Sequence, residues 1–168
     1  MGIELLVVDA DGTLTDGSIL YGPGDVELKK FSVKDGLILK AMPKLGIEVL
    51  ILTGRSSDAI KRRAAELGCA LVENAKDKLD ILQEHIKSKS LVWNNIAYIG
   101  DDLNDYAAMK KCRFKACPSD AAAEIIEICD FVSVSNGGYG AVRNICEQLL
   151  KLESKFEDFL KLYCAEKQ

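Results

Sequence analysis

The sequence predicts an α/β fold: a mostly parallel central sheet layered with helices, and one small β-hairpin protruding from it. Three observations carry this reading. Apolar runs recur at 3–9 (IELLVVD), 47–54 (IEVLILTG) and 95–105 (NIAYIGDDLND), each closing on Asp or Thr-Gly turn chemistry. Amphipathic segments lie between them, so successive strands are joined by crossovers, which are right-handed and set strands parallel. The 168 residues, 48% apolar and 29% charged, suit one domain with a sizeable core, spanning 1–168 with a hairpin insert at about 18–31.

Each element follows from local chemistry. Residues 3–9 form a buried strand ended by a D-G turn. In SILYGPGDVELKKFS, two short extended pieces flank G-P-G-D, a hairpin signal, and the piece is long enough to leave the core and cover something. Apolar positions 37, 38, 41, 42 and 45 predict a helix ending at Gly46, with Pro43 kinking it or ending it early. A strand at 47–54 is followed by a helix over 55–68, capped by Ser57 or Asp58 and closed by Gly68. CALVEN (69–74) supplies a short strand, and 76–90 is amphipathic through Leu79, Leu82 and Ile86. YAAMKKC (106–112) is a short helix, and apolar residues at 142, 145, 149, 152, 156 and 160 predict one long final helix. The alternation is that of a Rossmann-like three-layer α/β/α architecture with no large cap domain.

Bulk properties exclude several functions. A net charge of −4 gives no support to nucleic-acid or anionic-membrane partners. No stretch approaches 18 apolar residues and no signal-peptide pattern opens the chain, so neither a membrane span nor secretion is expected. Six cysteines occur without a CxxC, as buried free thiols in a reducing cytoplasmic setting would.

In open parallel sheets ligands bind beyond the carboxyl ends of the strands. Here those ends carry Asp9/Asp11, Thr53, the Lys78 neighbourhood and Asp101/Asp102/Asp105. Two acidic clusters would repel each other unless a cation or a lysine sits between them. Hard carboxylate ligands select Mg²⁺.

DADGTLTDG, LTGR, Lys78 in KDKLD, and GDDLND resemble, in order and strand context, the four motifs of the haloacid dehalogenase-like phosphohydrolases. The hairpin, FSVKDG and NGGYGAVR resemble the compact, capless group that hydrolyses phosphorylated eight- and nine-carbon keto-sugar acids. The resemblance implies a Mg²⁺-dependent phosphomonoesterase. Asp9 would be the nucleophile, Asp11 the general acid and base, and Lys78 the cation steadying Asp9 and the phosphate. Gly12, Thr53 and Gly54 would hold phosphoryl oxygens. Asp9, Asp101 and the Asp11 carbonyl would bind the metal, with Asp102 behind them and Asp105 pairing with or orienting Lys78, unless these two serve as helix caps. Asn104 would shape its turn.

A keto-sugar acid also carries a carboxylate, for which Arg55, Arg63 and Thr15 are the expected contacts, although Arg62 and Arg63 equally suit a solvated helix face. Nine-carbon members resemble one another in a glutamate at the Arg55 position and a lysine at that of Glu66. This chain departs at both and resembles the eight-carbon class, implying 3-deoxy-D-manno-octulosonate 8-phosphate as substrate. VENAKDK replaces the usual F-Q-G segment before Lys78. Capless members resemble homotetramers whose hairpins pack together. The alternatives are a nine-carbon 9-phosphate phosphatase, a broader sugar-phosphate phosphatase, a response-regulator-like receiver and a catalytically silent oligomerisation module.

Overall fold

The computed structural model describes residues 2–24 and 26–164. In chain order the elements are β1 (Leu5–Val8), β2 (Leu20–Tyr21), β3 (Glu27–Leu28), α1 (Val33–Ala41), β4 (Glu48–Leu52), α2 (Asp58–Leu67), β5 (Ala70–Val72), α3 (Lys78–Ser88), β6 (Ile96–Ile99), α4 (Leu103–Met109), β7 (Phe114–Cys117), α5 (Ala123–Ile128), β8 (Phe131–Val132), α6 (Ala141–Leu152) and α7 (Phe156–Cys164). Six strands form a sheet in the order β5-β4-β1-β6-β7-β8, with every neighbouring pair parallel.

β1 is buried on both faces, which explains its unbroken apolar run. Leu6 and Val8 join one core layer with Ile38 of α1, Ile60 of α2, Ile145 of α6 and Phe159 of α7. Leu5 and Val7 face the other, with Leu82 of α3, Met109 of α4 and Ile125 of α5. The chain leaves β1 towards β4 on one side and returns to β6 on the other. The strand order therefore reverses beside β1, and a crevice opens at its carboxyl end. Between β1 and α1 the chain makes the antiparallel β2–β3 ladder, pairing Leu20 with Leu28 and Tyr21 with Glu27. Asp25 of the predicted G-P-G-D turn lies outside the described residues.

Several boundaries differ from expectation. α1 begins at Val33, before the apolar spacing starts, because Ser32 Oγ accepts the Asp35 N–H at 3.3 Å. It gives way at Met42 to a tighter 3₁₀ turn carrying Pro43, which ends at Gly46 with φ 77°. Ser57, not Asp58, caps α2, its Oγ accepting the Ile60 N–H at 3.3 Å. α4 starts at Leu103, where Asp102 and Asp105 form a capping box. The predicted final helix is two helices. Ser154 turns left-handed at φ 57°, and Lys155 N–H bonds back to the Leu150 carbonyl at 2.7 Å. Apolar spacing runs on through this break, so periodicity alone could not reveal it.

Candidate active site

The position of Asp9, the expected nucleophile, is built by the end of β1. Asp9 N–H donates to the Ile99 carbonyl of β6 at 2.9 Å, so the sheet ladder holds the backbone just where the chain turns away. Residues Ala10–Leu14 then wrap in a wide turn closed by Thr15 N–H to the Ala10 carbonyl at 3.0 Å. Gly12 takes φ 96°, and a Cβ there would overlap the Asp101 carboxylate, so the two acidic loops approach closely only because residue 12 is glycine.

Lys78 opens α3 and is buried, with Nζ 2.8 Å from Asp9 Oδ1 and 2.6 Å from Asp105 Oδ1. The loop before it differs from the expected segment yet still delivers the lysine: Asn74 adopts φ 55°, and Asp77 caps the helix by accepting the Asp80 N–H. Asp105 is a hub. Its Oδ1 also accepts from Tyr98 OH at 2.6 Å, and its Oδ2 accepts from the Asp101 N–H at 3.2 Å. Asp101 Oδ1 accepts from Thr13 Oγ at 2.7 Å.

Asp9, Asp101 and Asp105 each place a carboxylate oxygen within 4.8 Å of the others. Among the described residues a single ammonium, Lys78, stands among these three acids. Burial raises the Asp9 pKa well above the ordinary carboxylate range, and the Asp105 charge adds to it against the pull of Lys78. Burial likewise pushes Asp101 up to about 6; the Thr13 hydrogen bond opposes this and the Asp105 charge reinforces it. Burial works against the Lys78 charge, but Asp9 and Asp105 outweigh it and raise its pKa. The local excess of negative charge fits a hard divalent cation. Asp105 is already committed to Lys78, Tyr98 and the backbone, which leaves Asp9 and Asp101 as the carboxylates suited to hold one.

A cleft of about 380 Å³ lies above this cluster, lined by Asp9, Asp11, Gly12, Thr53, Gly54, Arg55, Asp101 and Asp102, with Asp16, Gly17, Asn104 and Asp120 at its sides. Thr53 is buried at the end of β4, its Oγ accepting the Arg55 N–H at 3.2 Å. The sheet thus brings together nearly every residue the motifs singled out.

Two expected substrate contacts lie elsewhere. Thr15 is buried, donating to the Ala10 carbonyl and accepting from Gly17 N–H, so it shapes the turn. Arg63 lies off the cleft, with Nη2 3.1 Å from the Ser32 carbonyl, Nη1 3.4 Å from Glu66 and its guanidinium over Phe31. Arg63 follows Arg55 by eight residues, but Arg55 precedes α2, so helical spacing does not bring the two to one face. Arg55 does line the cleft, with Nη2 2.8 Å from Glu27 of the hairpin.

Sequence reasoning missed Asp120, which accepts the Gly137 N–H at 3.0 Å, and assigned Asn104 only to its turn. It also missed Lys29, which has no motif around it. The late glycine loop packs directly on the Ala10–Leu14 turn: Gly138 N–H donates to the Thr13 carbonyl at 3.1 Å, and a Cβ on Gly137 would overlap the Gly12 carbonyl. Asp35, at the hairpin's return, accepts the Arg143 N–H at 2.7 Å near the start of α6.

An aspartate-bearing turn at the end of a central parallel strand, a buried lysine paired with that aspartate and an acidic loop after the neighbouring strand are the arrangement of a haloacid dehalogenase-like hydrolase. Residues 69–145 match the model of that family, haloacid dehalogenase-like hydrolase. The 3-deoxy-D-manno-octulosonate 8-phosphate phosphatase KdsC of Salmonella typhi is 36% identical over 157 residues, 93% of this chain and 84% of the relative. The crystal structure of that phosphatase from Moraxella catarrhalis, in complex with magnesium ion, phosphate ion and KDO, superposes with a TM-score of 0.92 at 38% identity, covering 96% of this chain and 93% of that one. The cobalt-bound form from Haemophilus influenzae gives 0.88 at 32% identity, covering 94% and 92%. The chain belongs to the 3-deoxy-D-manno-octulosonate 8-phosphate phosphatase family of these hydrolases.

Proposed function

We propose that this protein is a Mg²⁺-dependent phosphomonoesterase that releases phosphate from 3-deoxy-D-manno-octulosonate 8-phosphate. The observation that carries the reading is the buried Asp9–Lys78–Asp105 cluster facing Asp101 across the cleft floor, in a chain 36% identical to such phosphatases.

Asp9 attacks phosphorus as the ester P–O bond breaks, giving an aspartyl-phosphate. Splitting the displacement in two lowers each barrier. Asp11 donates a proton to the departing sugar oxygen. It then takes one from the water that attacks the aspartyl-phosphate, so inorganic phosphate leaves and both aspartates are restored. Lys78 steadies Asp9 and offsets phosphoryl charge, while Thr53 and the backbone amides at Gly12 and Gly54 bind phosphoryl oxygens. Asp9, Asp101 and the Asp11 carbonyl would hold Mg²⁺, which supplies further positive charge at the phosphoryl group.

Arg55 is the proposed contact for the substrate carboxylate, exchanging Glu27 for it. A charged hydrogen bond of about 1.5–3 kcal/mol formed only with the right acid is worth roughly 10- to 160-fold in selectivity. Free thiols support a cytoplasmic setting. Among the described residues no helix is long and apolar enough to cross a membrane. Exposed Ile19, Leu20, Tyr21, Val26 and Leu28 on the hairpin support a homo-oligomer, a tetramer on this reading.

The deciding experiment compares kcat/KM for the eight-carbon 8-phosphate and a nine-carbon 9-phosphate, with wild type and Arg55→Ala, with and without Mg²⁺. We expect Mg²⁺-dependent preference for the eight-carbon acid, reduced at least tenfold by the substitution. Preference for the nine-carbon acid, or equal rates on simple hexose phosphates, would reject the substrate assignment and leave the phosphatase chemistry standing.

A further inference from the structure

Lys29 follows β3 immediately, and its side chain has no solvent exposure. Its ammonium pairs with Asp11 Oδ1 and lies 2.9 Å from Glu27 Oε1. Arg55 closes the group, with Nη2 2.8 Å from Glu27 Oε2 and Nε 3.9 Å from Asp11 Oδ2. Two acids and two cations thus join the hairpin to the cleft through Asp11. Burying an ammonium costs both hydration and the rotamer freedom of a long side chain, and a hairpin that only covered the cleft could use an apolar residue there.

The contacts of Asp11 are asymmetric. Oδ1 is held by Lys29, whereas Oδ2 is buried without a hydrogen-bond partner among the described residues. An aspartate has little intrinsic means of choosing which oxygen to present, since rotation about its terminal torsion is soft. An ammonium on one oxygen settles that choice. We infer that Lys29 is a positioning residue for catalysis: it pins Oδ1 of Asp11 so that Oδ2 is presented to the ester oxygen, and then to the attacking water, once Arg55 turns from Asp11 and Glu27 to the substrate carboxylate.

The inference rests on the acid and base role assigned to Asp11 above. Oδ2 carries the proton that moves to the sugar oxygen as the P–O bond breaks, and it accepts one from water when the aspartyl-phosphate is cleaved. Lys29 itself neither gains nor loses a proton. Its pairing with Glu27 keeps the ammonium in place throughout both steps.

The test exploits leaving-group dependence. An alkyl phosphate needs a proton on its departing oxygen, whereas p-nitrophenolate leaves without one. Lys29→Met, with Lys29→Gln as a second variant should the first lose its native circular dichroism, is assayed on 3-deoxy-D-manno-octulosonate 8-phosphate and on p-nitrophenyl phosphate. Asp11→Asn and the double variant are assayed beside it. We expect kcat/KM on the sugar phosphate to fall about 10- to 100-fold and on the aryl ester by less than about threefold, since kcat/KM ends at departure of the leaving group and the water step that follows is common to both esters, with partial rescue by Lys29→Arg. In the Asp11→Asn background the Lys29 substitution should cost nothing further. Equal losses on both esters, or a full additional loss in the double variant, would overturn the inference and mark Lys29 as hairpin packing alone. If Asp11→Asn itself fails to separate the two esters, the role of Asp11 is wrong and the inference falls with it.

Discussion

Asp105 bonds to Lys78 Nζ, Tyr98 OH and the Asp101 N–H while remaining fully buried. Its carboxylate accepts from every side, so an amide in its place would turn an NH₂ towards donors. Asp105→Asn is expected to lower the unfolding free energy by about 1–3 kcal/mol, because buried donors lose their acceptor. kcat should fall at least tenfold as Lys78 loses its second anchor. Urea unfolding and steady-state kinetics on the one variant check both, and Tyr98→Phe, which removes a single hydrogen bond, should cost about 1 kcal/mol. Sequence reading left Asp105 divided between capping α4 and pairing with Lys78. The folded chain does both, since one oxygen faces the helix start and the other the lysine.

At the scale of elements, the hairpin and the late glycine loop behave differently from the sheet. β2 and β3 are only two residues each and expose Leu20, Tyr21 and Leu28, more apolar surface than an isolated ladder would keep in water. Leu20→Glu combined with Tyr21→Glu is expected to shift the protein from oligomer to monomer, read by light scattering at micromolar concentration. A wild type that is already monomeric would remove the assembly reading. The same hairpin reaches inward through Lys29 and Glu27, so its role in the cleft does not require a second copy. Its presence was legible from G-P-G-D between extended pieces, but its inward contacts were not, because adjacent lysines at 29 and 30 look alike in sequence. Lys30 turns outward to Asp16 at 2.9 Å and to the Tyr139 ring, whereas Lys29 is buried. Both follow β3, outside its ladder, and which of them faces inward is set only by how the hairpin docks on the cleft.

For the whole molecule, the acidic centre is held together against its own repulsion by the surrounding core. A cation that binds the folded state and not the unfolded chain adds stability by mass action, about 2.7 kcal/mol at a hundredfold excess over Kd. Mg²⁺ should therefore raise the melting temperature over that in EDTA. Asp101→Asn removes one of the buried like charges while keeping an acceptor for Thr13, so its melting temperature in EDTA should match or exceed wild type, with the Mg²⁺ gain lost. A wild-type melting temperature indifferent to Mg²⁺ would count against metal binding at Asp9 and Asp101.

The sequence by itself determined the strand and helix order and placed Asp9, Thr53 and Asp101 at strand ends, because apolar period and turn chemistry are local properties of the chain. Parallel crossovers then oblige those ends to share one edge of the sheet, so the main cleft residues are legible in the sequence. Only the tertiary structure decided that Arg63 lies against Ser32 and Phe31, that Arg55 pairs with Glu27, and that the last helix breaks at Ser154. It alone set Lys29 on Asp11 and Gly137 against Gly12. Long flexible side chains and loop-to-loop packing depend on which distant segments dock beside them, and no spacing along the chain encodes that distance.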